Sequence, residues 1–276
     1  MYYDVALEQA TTTKMTAPQI HKLGLSESKR IQNEMRVIMK QVGFKGKLTD
    51  FFAHVRKSDK FYYPDTTAGK KQYLSDTQAI IDSVRGQLND LFDIKPKAKL
   101  KVKPVEAFRE KSSGLAFYQS PAINGSRPGI YFINQSDMKK APKYEMEALA
   151  YHEAIPGHHM EKSISMELEG LPKFRRHWGN TVYSEGWGLY AESLPKDWSN
   201  LMGDNSKKVN FYSDPYSDFG RLSLELLRAN RLVVDTGIHY YKWSREKAID
   251  FLNNNSSQVG GANAKSIERY LSLIHI

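Results

Sequence analysis

A chain of 276 residues with 40% hydrophobic content is long enough to bury one large core or two small ones. Forty basic against 31 acidic side chains leave a net charge of +9, but the lysines are dispersed rather than gathered into a motif, which argues against a nucleic-acid partner and for a solvated basic surface. The lack of cysteine excludes disulfides and thiolate metal sites, so any metal must be held by His, Asp or Glu.

The opening "MYYDVALEQATTTKM" has no basic head followed by an apolar stretch, and no run approaches the roughly 18 apolar residues of a membrane span. Neither a signal peptide nor an anchor is expected in the sequence, and localisation stays open. Residues 1–95 then read as a helical scaffold region. "ESKRIQNEMRVIMKQVGF" sets Ile31, Met35, Ile38 and Met39 at helical spacing and ends at a glycine. "KLTDFFAHVRKS" and "TAGKKQYLSDTQAIIDSVRGQLNDLF" continue in the same manner, with Thr66 or Thr67 as N-cap of the latter.

Residues 96–276 form a second region, read with the first as one continuous domain. It opens on alternation and turn residues, "KLKVKPVEAF", "GLAFYQSP" and "INGSRPGIYFIN", which predict two or three strands in a small sheet. A helix follows from "APKYEMEALAYHEA", with Pro142 in its first turn. Helical patterning then runs through "HHMEKSISMELEG", "TVYSEGWGLYAESL", "SDFGRLSLELLRANRLVVDTGIHYY" and "SREKAIDFLNN". The expected fold class is mainly α with a small β-sheet, an α+β arrangement.

The chemistry concentrates in "YHEAIPGHHM", which resembles the zinc-peptidase signature H-E-x-x-H except that its second histidine comes late. His152 and His158 are six residues apart. On an unbroken helix they would lie about 9 Å apart along the axis and about 120° apart around it, which no single ion could bridge. Pro156 and Gly157 supply a remedy, because proline disfavours helix at the residue before it and glycine accepts conformations closed to other residues. A bulge there returns His158 to the ligand position, with His159 as a substrate contact or the alternative ligand. Glu153, directly after the first histidine, has the place of a general base.

A third ligand must be a carboxylate or imidazole. In "YSEGWGLYAESL", Glu185 and Glu192 are seven residues apart and share a helix face. Glu185 is the chosen ligand, since Gly186 beside it leaves room for a close approach; Glu192 is expected to orient a ligand imidazole.

The blocks "HEAIPGHHM", "SEGWGLYAESL" and "RANRLVVDTGIHYYKWSREKAIDF", in this order, resemble a bacterial family known as domain of unknown function 885. The similarity extends upstream to "ATTTKMTAPQIHKLGL" and "VGFKGKLTDFF", and so covers nearly the whole chain. The resemblance implies a zincin-like metallopeptidase of the gluzincin type, with Zn2+ on His152, His158 and Glu185, Glu153 as base, and a peptide substrate. Family members are about twice this length and often begin with an export signal, which implies a periplasmic or extracellular setting and a chain corresponding to the C-terminal part. The closing "LSLIHI" departs from the family pattern and is set aside from fold reasoning.

For the developing oxyanion, "DTGIHYY" offers His239, Tyr240 and Tyr241, of which His239 is preferred. Arg228 and Arg231 share a helix face, and Arg231 could clamp a peptide carboxylate or pair with Asp235. "GIYFIN" could bind an extended peptide along its edge. The reading is therefore a zinc-dependent peptidase; a metal-dependent hydrolase of non-peptide amides or esters and an inactive metal-binding fragment are the alternatives. Oligomeric state is not readable.

Overall fold

A computed structural model describes residues 2–177, 179–201, 212–258 and 261–271. Its helices are α1 (Tyr2–Thr11), α2 (Ala17–Gln41), α3 (Leu48–Lys57), α4 (Thr67–Gln87), α5 (Met146–Glu153), α6 (His158–Glu167), α7 (Lys173–His177), α8 (Thr181–Leu201), α9 (Pro215–His239), α10 (Arg245–Asn255) and α11 (Ala262–Tyr270). Between α4 and α5 lie the strands β1 (Leu100–Pro104), β2 (Ala116–Gln119) and β3 (Gly129–Ile133). Mainly helical structure with one small sheet matches the expected fold class. Of the terminal "LSLIHI", only Leu271 falls among the described residues.

The chain divides into two compact units, one of Met1–Phe61 with Leu222–Ile276, the other of Tyr62–Arg221. The expected boundary at 95/96 is thus displaced. The reason is that α4 packs against β1 and α5 and so belongs with the sheet, not with the preceding helices.

In the first unit the predicted stripe of α2 is buried at Ile31, Met35, Ile38 and Met39. Ser28, also on this helix, donates to Asn230 Oδ1 of α9 at 3.0 Å, a buried polar tie between segments 202 residues apart. Val234 and Ile238 of α9 pack with Leu252 of α10 and Ile267 and Tyr270 of α11. Helices α1 and α11 were not anticipated. The first is held by Leu7, which packs with Ala17 and Ile20, a contact set by tertiary packing more than by local pattern.

In the second unit, α4 starts as the sequence predicts: Thr66 accepts the Gly69 amide at 3.1 Å as N-cap. The sheet has the order β1-β3-β2, with β1 parallel and β2 antiparallel to β3. Leu100 stands opposite Gly129 and Pro104 opposite Ile133 on one side; Ala116 stands opposite Ile133 on the other. Every residue of β3 is buried. This overturns the expectation that "GIYFIN" offers an edge to a peptide, because both edges of β3 are already paired. Next in the chain, Pro142 caps a short 3-10 turn at Lys143–Glu145 that leads into α5. All eight residues of α5 are buried, Glu147, His152 and Glu153 among them, and it packs against α4 and α8.

Candidate metal centre

Helix α5 stops at Glu153 because Ala154 leaves helical geometry, at φ −107° and ψ −99°. A cis Ile155–Pro156 peptide and Gly157 follow, and α6 restarts at His158. The turn is closed by the His159 amide, which donates to the Ala154 carbonyl at 3.1 Å, and by Trp187 of α8, whose Nε1 donates to the Pro156 carbonyl at 2.8 Å. Only glycine fits at 157: a Cβ there would lie 1.9 Å from the His152 carbonyl oxygen and 2.3 Å from that of Tyr151. The chain folds back on the end of its own helix, and that reversal brings the two histidines together despite their spacing. Their ring centroids are 4.6 Å apart, with planes at 80°.

Glu185 meets both rings. Its Oε2 is 3.5 Å from His152 Nε2 and its Oε1 is 3.7 Å from His158 Nε2. One ligand atom from each of the three residues lies within 4.8 Å of the others, the one such grouping among the described residues. The two imidazoles are buried, whereas the Glu185 side chain is 60% exposed, so the cluster is walled on the histidine side and open on the carboxylate side.

Each imidazole is braced at its far nitrogen. His152 Nδ1 is 2.8 Å from Glu192 Oε1, and Glu192 is 1% exposed, seated where its main-chain carbonyl also accepts from the Tyr212 hydroxyl. A carboxylate accepts only, so Nδ1 donates to Glu192, and Nε2 is the nitrogen that faces Glu185. Glu185 and Glu192 thus meet the same ring at opposite ends, as their seven-residue spacing on α8 predicts. The glycine that permits this approach is not Gly186, as the sequence suggested; a Cβ there would meet nothing within 4 Å. It is Gly188, whose Cβ would stand 2.5 Å from His152 Cε1. Gly188 lies one turn past Ser184 on the face that bears Glu185 and Glu192, so helical phase would have found it.

Sequence reasoning missed the groups behind His158. Ser184 Oγ lies 3.5 Å and Glu161 Oε2 3.9 Å from His158 Nδ1. The available signal was position: Glu161 is three residues beyond His158 on α6, and Ser184 directly precedes Glu185.

Glu153, the proposed base, is buried at the last position of α5. Its charge reaches Tyr131 of β3, whose hydroxyl is pushed well above its ordinary pKa by burial first, then by Tyr73 and Glu153.

His159 turns away from the cluster. Its Nε2 is 3.1 Å from the Ala98 carbonyl, which can only accept, so Nε2 carries the proton and Nδ1 accepts from the Tyr118 hydroxyl at 3.0 Å. With both nitrogens engaged and the residue 1% exposed, His159 ties α6 to the sheet; it is neither the alternative ligand nor the substrate contact that the sequence allowed. Burial pushes its pKa down to about 4 from 6.5. An unfolded chain therefore takes up a proton that the folded one refuses as pH falls from 6.5 toward 4, and stability should decline over that window. In urea titrations across it, a His159→Gln variant is expected to be less stable at pH 7 but to lose less on acidification than the parent.

The remaining predicted residues belong to the other unit. His239 Nε2 donates to the Tyr270 carbonyl at 2.7 Å, and Arg231 Nε donates to the Tyr270 hydroxyl at 2.8 Å. Asp235, the suggested partner of Arg231, instead accepts from the Tyr3 hydroxyl at 2.6 Å. Tyr240 and Tyr241 are half exposed and stack edge-on with ring centroids 4.9 Å apart. The contacts of His239 and Arg231 bind α9 to α11 within their own unit.

Residues 1–274 match the family described as "Bacterial protein of unknown function (DUF885)". A crystal structure of a candidate lipoprotein from Colwellia psychrerythraea is similar at 35% identity and a TM-score of 0.90, over 99% of this chain and 45% of that one. A second, a candidate lipoprotein of unknown function from Shewanella oneidensis, shares the fold at 18% identity and a TM-score of 0.76, over 99% of this chain and 50% of that one. The chain thus spans about half the length of the solved structures it matches. No curated protein matches it. Among the described residues, no helix is long and apolar enough to cross a membrane.

Proposed function

This chain belongs to the bacterial DUF885 family, and we propose that the cluster on α5, α6 and α8 makes it a zinc-dependent peptidase of the gluzincin type. The observation that carries the reading is the convergence of His152, His158 and Glu185, one ligand atom of each lying within 4.8 Å of the others. Ligands at 2.0 to 2.1 Å around a tetrahedral ion sit about 3.4 Å from one another, and the 3.5 Å from Glu185 Oε2 to His152 Nε2 and 3.7 Å from Glu185 Oε1 to His158 Nε2 are close to that edge. Two neutral imidazoles and one carboxylate are the donor set of several catalytic zinc sites, and the exposed side of Glu185 leaves room for a fourth, exchangeable position.

Bound there, zinc would supply Lewis acidity toward a scissile carbonyl and make an adjacent water more acidic. The protein's own share of the work falls to Glu153 and the bracing groups. Glu153 accepts the proton of the attacking water and returns it to the leaving amine, so no covalent intermediate with the chain is needed. Glu192 holds His152 in one tautomer and orientation, and the Gly157 turn fixes the distance between the two rings.

Metal analysis by mass spectrometry tests the reading directly: about one zinc per chain in the parent, and loss of it in His152→Ala. A mixed peptide library, with a parallel set of simple amides and esters, should be cleaved by the parent in its peptide arm and spared after chelation. A metal-free parent, or cleavage indifferent to chelator, would overturn the proposal; cleavage confined to the non-peptide arm would reassign the substrate.

A further inference from the structure

His152 is braced by a carboxylate in hydrogen-bond contact, and the groups found behind His158 form a chain. Ser184 Oγ donates to Glu161 Oε2 at 3.1 Å, and Glu161 Oε1 faces Lys162 Nζ at 3.1 Å. Ser184 and His158 are buried, and the Glu161 side chain is 6% exposed. A serine hydroxyl has a single proton, and an ionised carboxylate can only accept one. With that proton directed at Glu161, Ser184 offers His158 only lone pairs. The proton between Ser184 and His158 must then sit on His158 Nδ1, and the nearby Glu161 charge, 3.9 Å away, favours the same placement. The Nε2 lone pair consequently points at Glu185 Oε1.

We propose that Ser184 and Glu161 are positioning residues, a hydroxyl-bridged relay that fixes His158 as its Nδ1–H tautomer and so presents Nε2 as a ligand. The inference rests on the zinc reading for its purpose, but not for its chemistry. The relay reproduces on α6 what Glu192 does for His152 by direct contact. It differs in one consequential way: the link from Ser184 to His158 is 3.5 Å, long for a hydrogen bond, so the carboxylate and hydroxyl act together and neither alone sets the ring as firmly. Supporting groups of this kind change metal affinity by about 10- to 100-fold when removed.

The test reads the tautomer without any metal. Nitrogen-15 shifts of the metal-free chain should report Nδ1–H on both His152 and His158. Glu161→Gln is expected to shift His158 toward a mixture containing Nε2–H while His152, held by Glu192, keeps its signal; that unchanged signal certifies that the variant is folded. Ser184→Ala should move His158 in the same direction and Ser184→Thr, which keeps a hydroxyl, should restore it. Zinc affinity, measured by competition with a chromophoric chelator, should fall 10- to 100-fold in Glu161→Gln, and the Ser184→Ala/Glu161→Gln double variant should be no weaker, as for two links of one chain. A His158 tautomer unaltered by both single variants overturns the relay, whether or not zinc binds. A parent chain with the predicted tautomers but no zinc affinity would instead defeat the metal reading and leave the relay standing.

Discussion

Glu153→Gln is expected to lower peptide hydrolysis by roughly 10²- to 10⁴-fold while leaving bound zinc at the parental level. The substitution is nearly isosteric and removes the one property the reaction requires of this residue, the capacity to take a proton. The argument is positional: Glu153 directly follows a cluster histidine, closes α5, and is buried. Because the amide keeps the shape of the acid, lost activity with retained metal isolates the proton transfer from the ligand set. Parallel measurements of turnover and zinc content check it, and activity that survives the change would remove Glu153 from the mechanism.

Gly157→Ala should produce a large structural effect for a single added methyl group. The added Cβ would fall 1.9 Å from the carbonyl oxygen of His152 and 2.3 Å from that of Tyr151. Both obstacles are backbone of a fully buried helix, so neither can swing aside as a flexible side chain would. Overpacking of this kind costs about 3 kcal/mol. The expected result is a clear fall in the urea midpoint together with weaker zinc binding, since relief of the clash requires opening the turn that spaces the two rings. A fully stable Gly157→Ala chain with parental affinity would show that the turn can be rebuilt without moving His158.

Much of this architecture could be read from local pattern. The amphipathic stripe of α2, the Thr66 cap and the β-branched and aromatic content of "GIYFIN" each depend on neighbours a few residues away, and each element appears where the local pattern places it. The approach of His152 and His158 was legible for a related reason: proline and glycine announce a break, and the six-residue gap demanded one. What escaped was set by distant packing. Nothing in "GIYFIN" reveals that it is flanked on both sides, which follows from β1 and β2 closing around it. His159 looks like an alternative to His158 as ligand in the sequence, but the carbonyl of Ala98 and the hydroxyl of Tyr118 claim its two nitrogens from 61 and 41 residues away. His239 reads as an oxyanion donor and Arg231 as a carboxylate clamp, while their partner Tyr270 lies on a helix that the sequence did not announce.

The tie between Ser28 and Asn230 sets an order of events during synthesis. The stretch holding every member of the cluster is continuous, so it can collapse as soon as it leaves the ribosome. The tie from Ser28 must wait for α9, through the translation of 202 further residues. Closing so long a loop costs entropy before any contact repays it, which makes this tie a late event in folding.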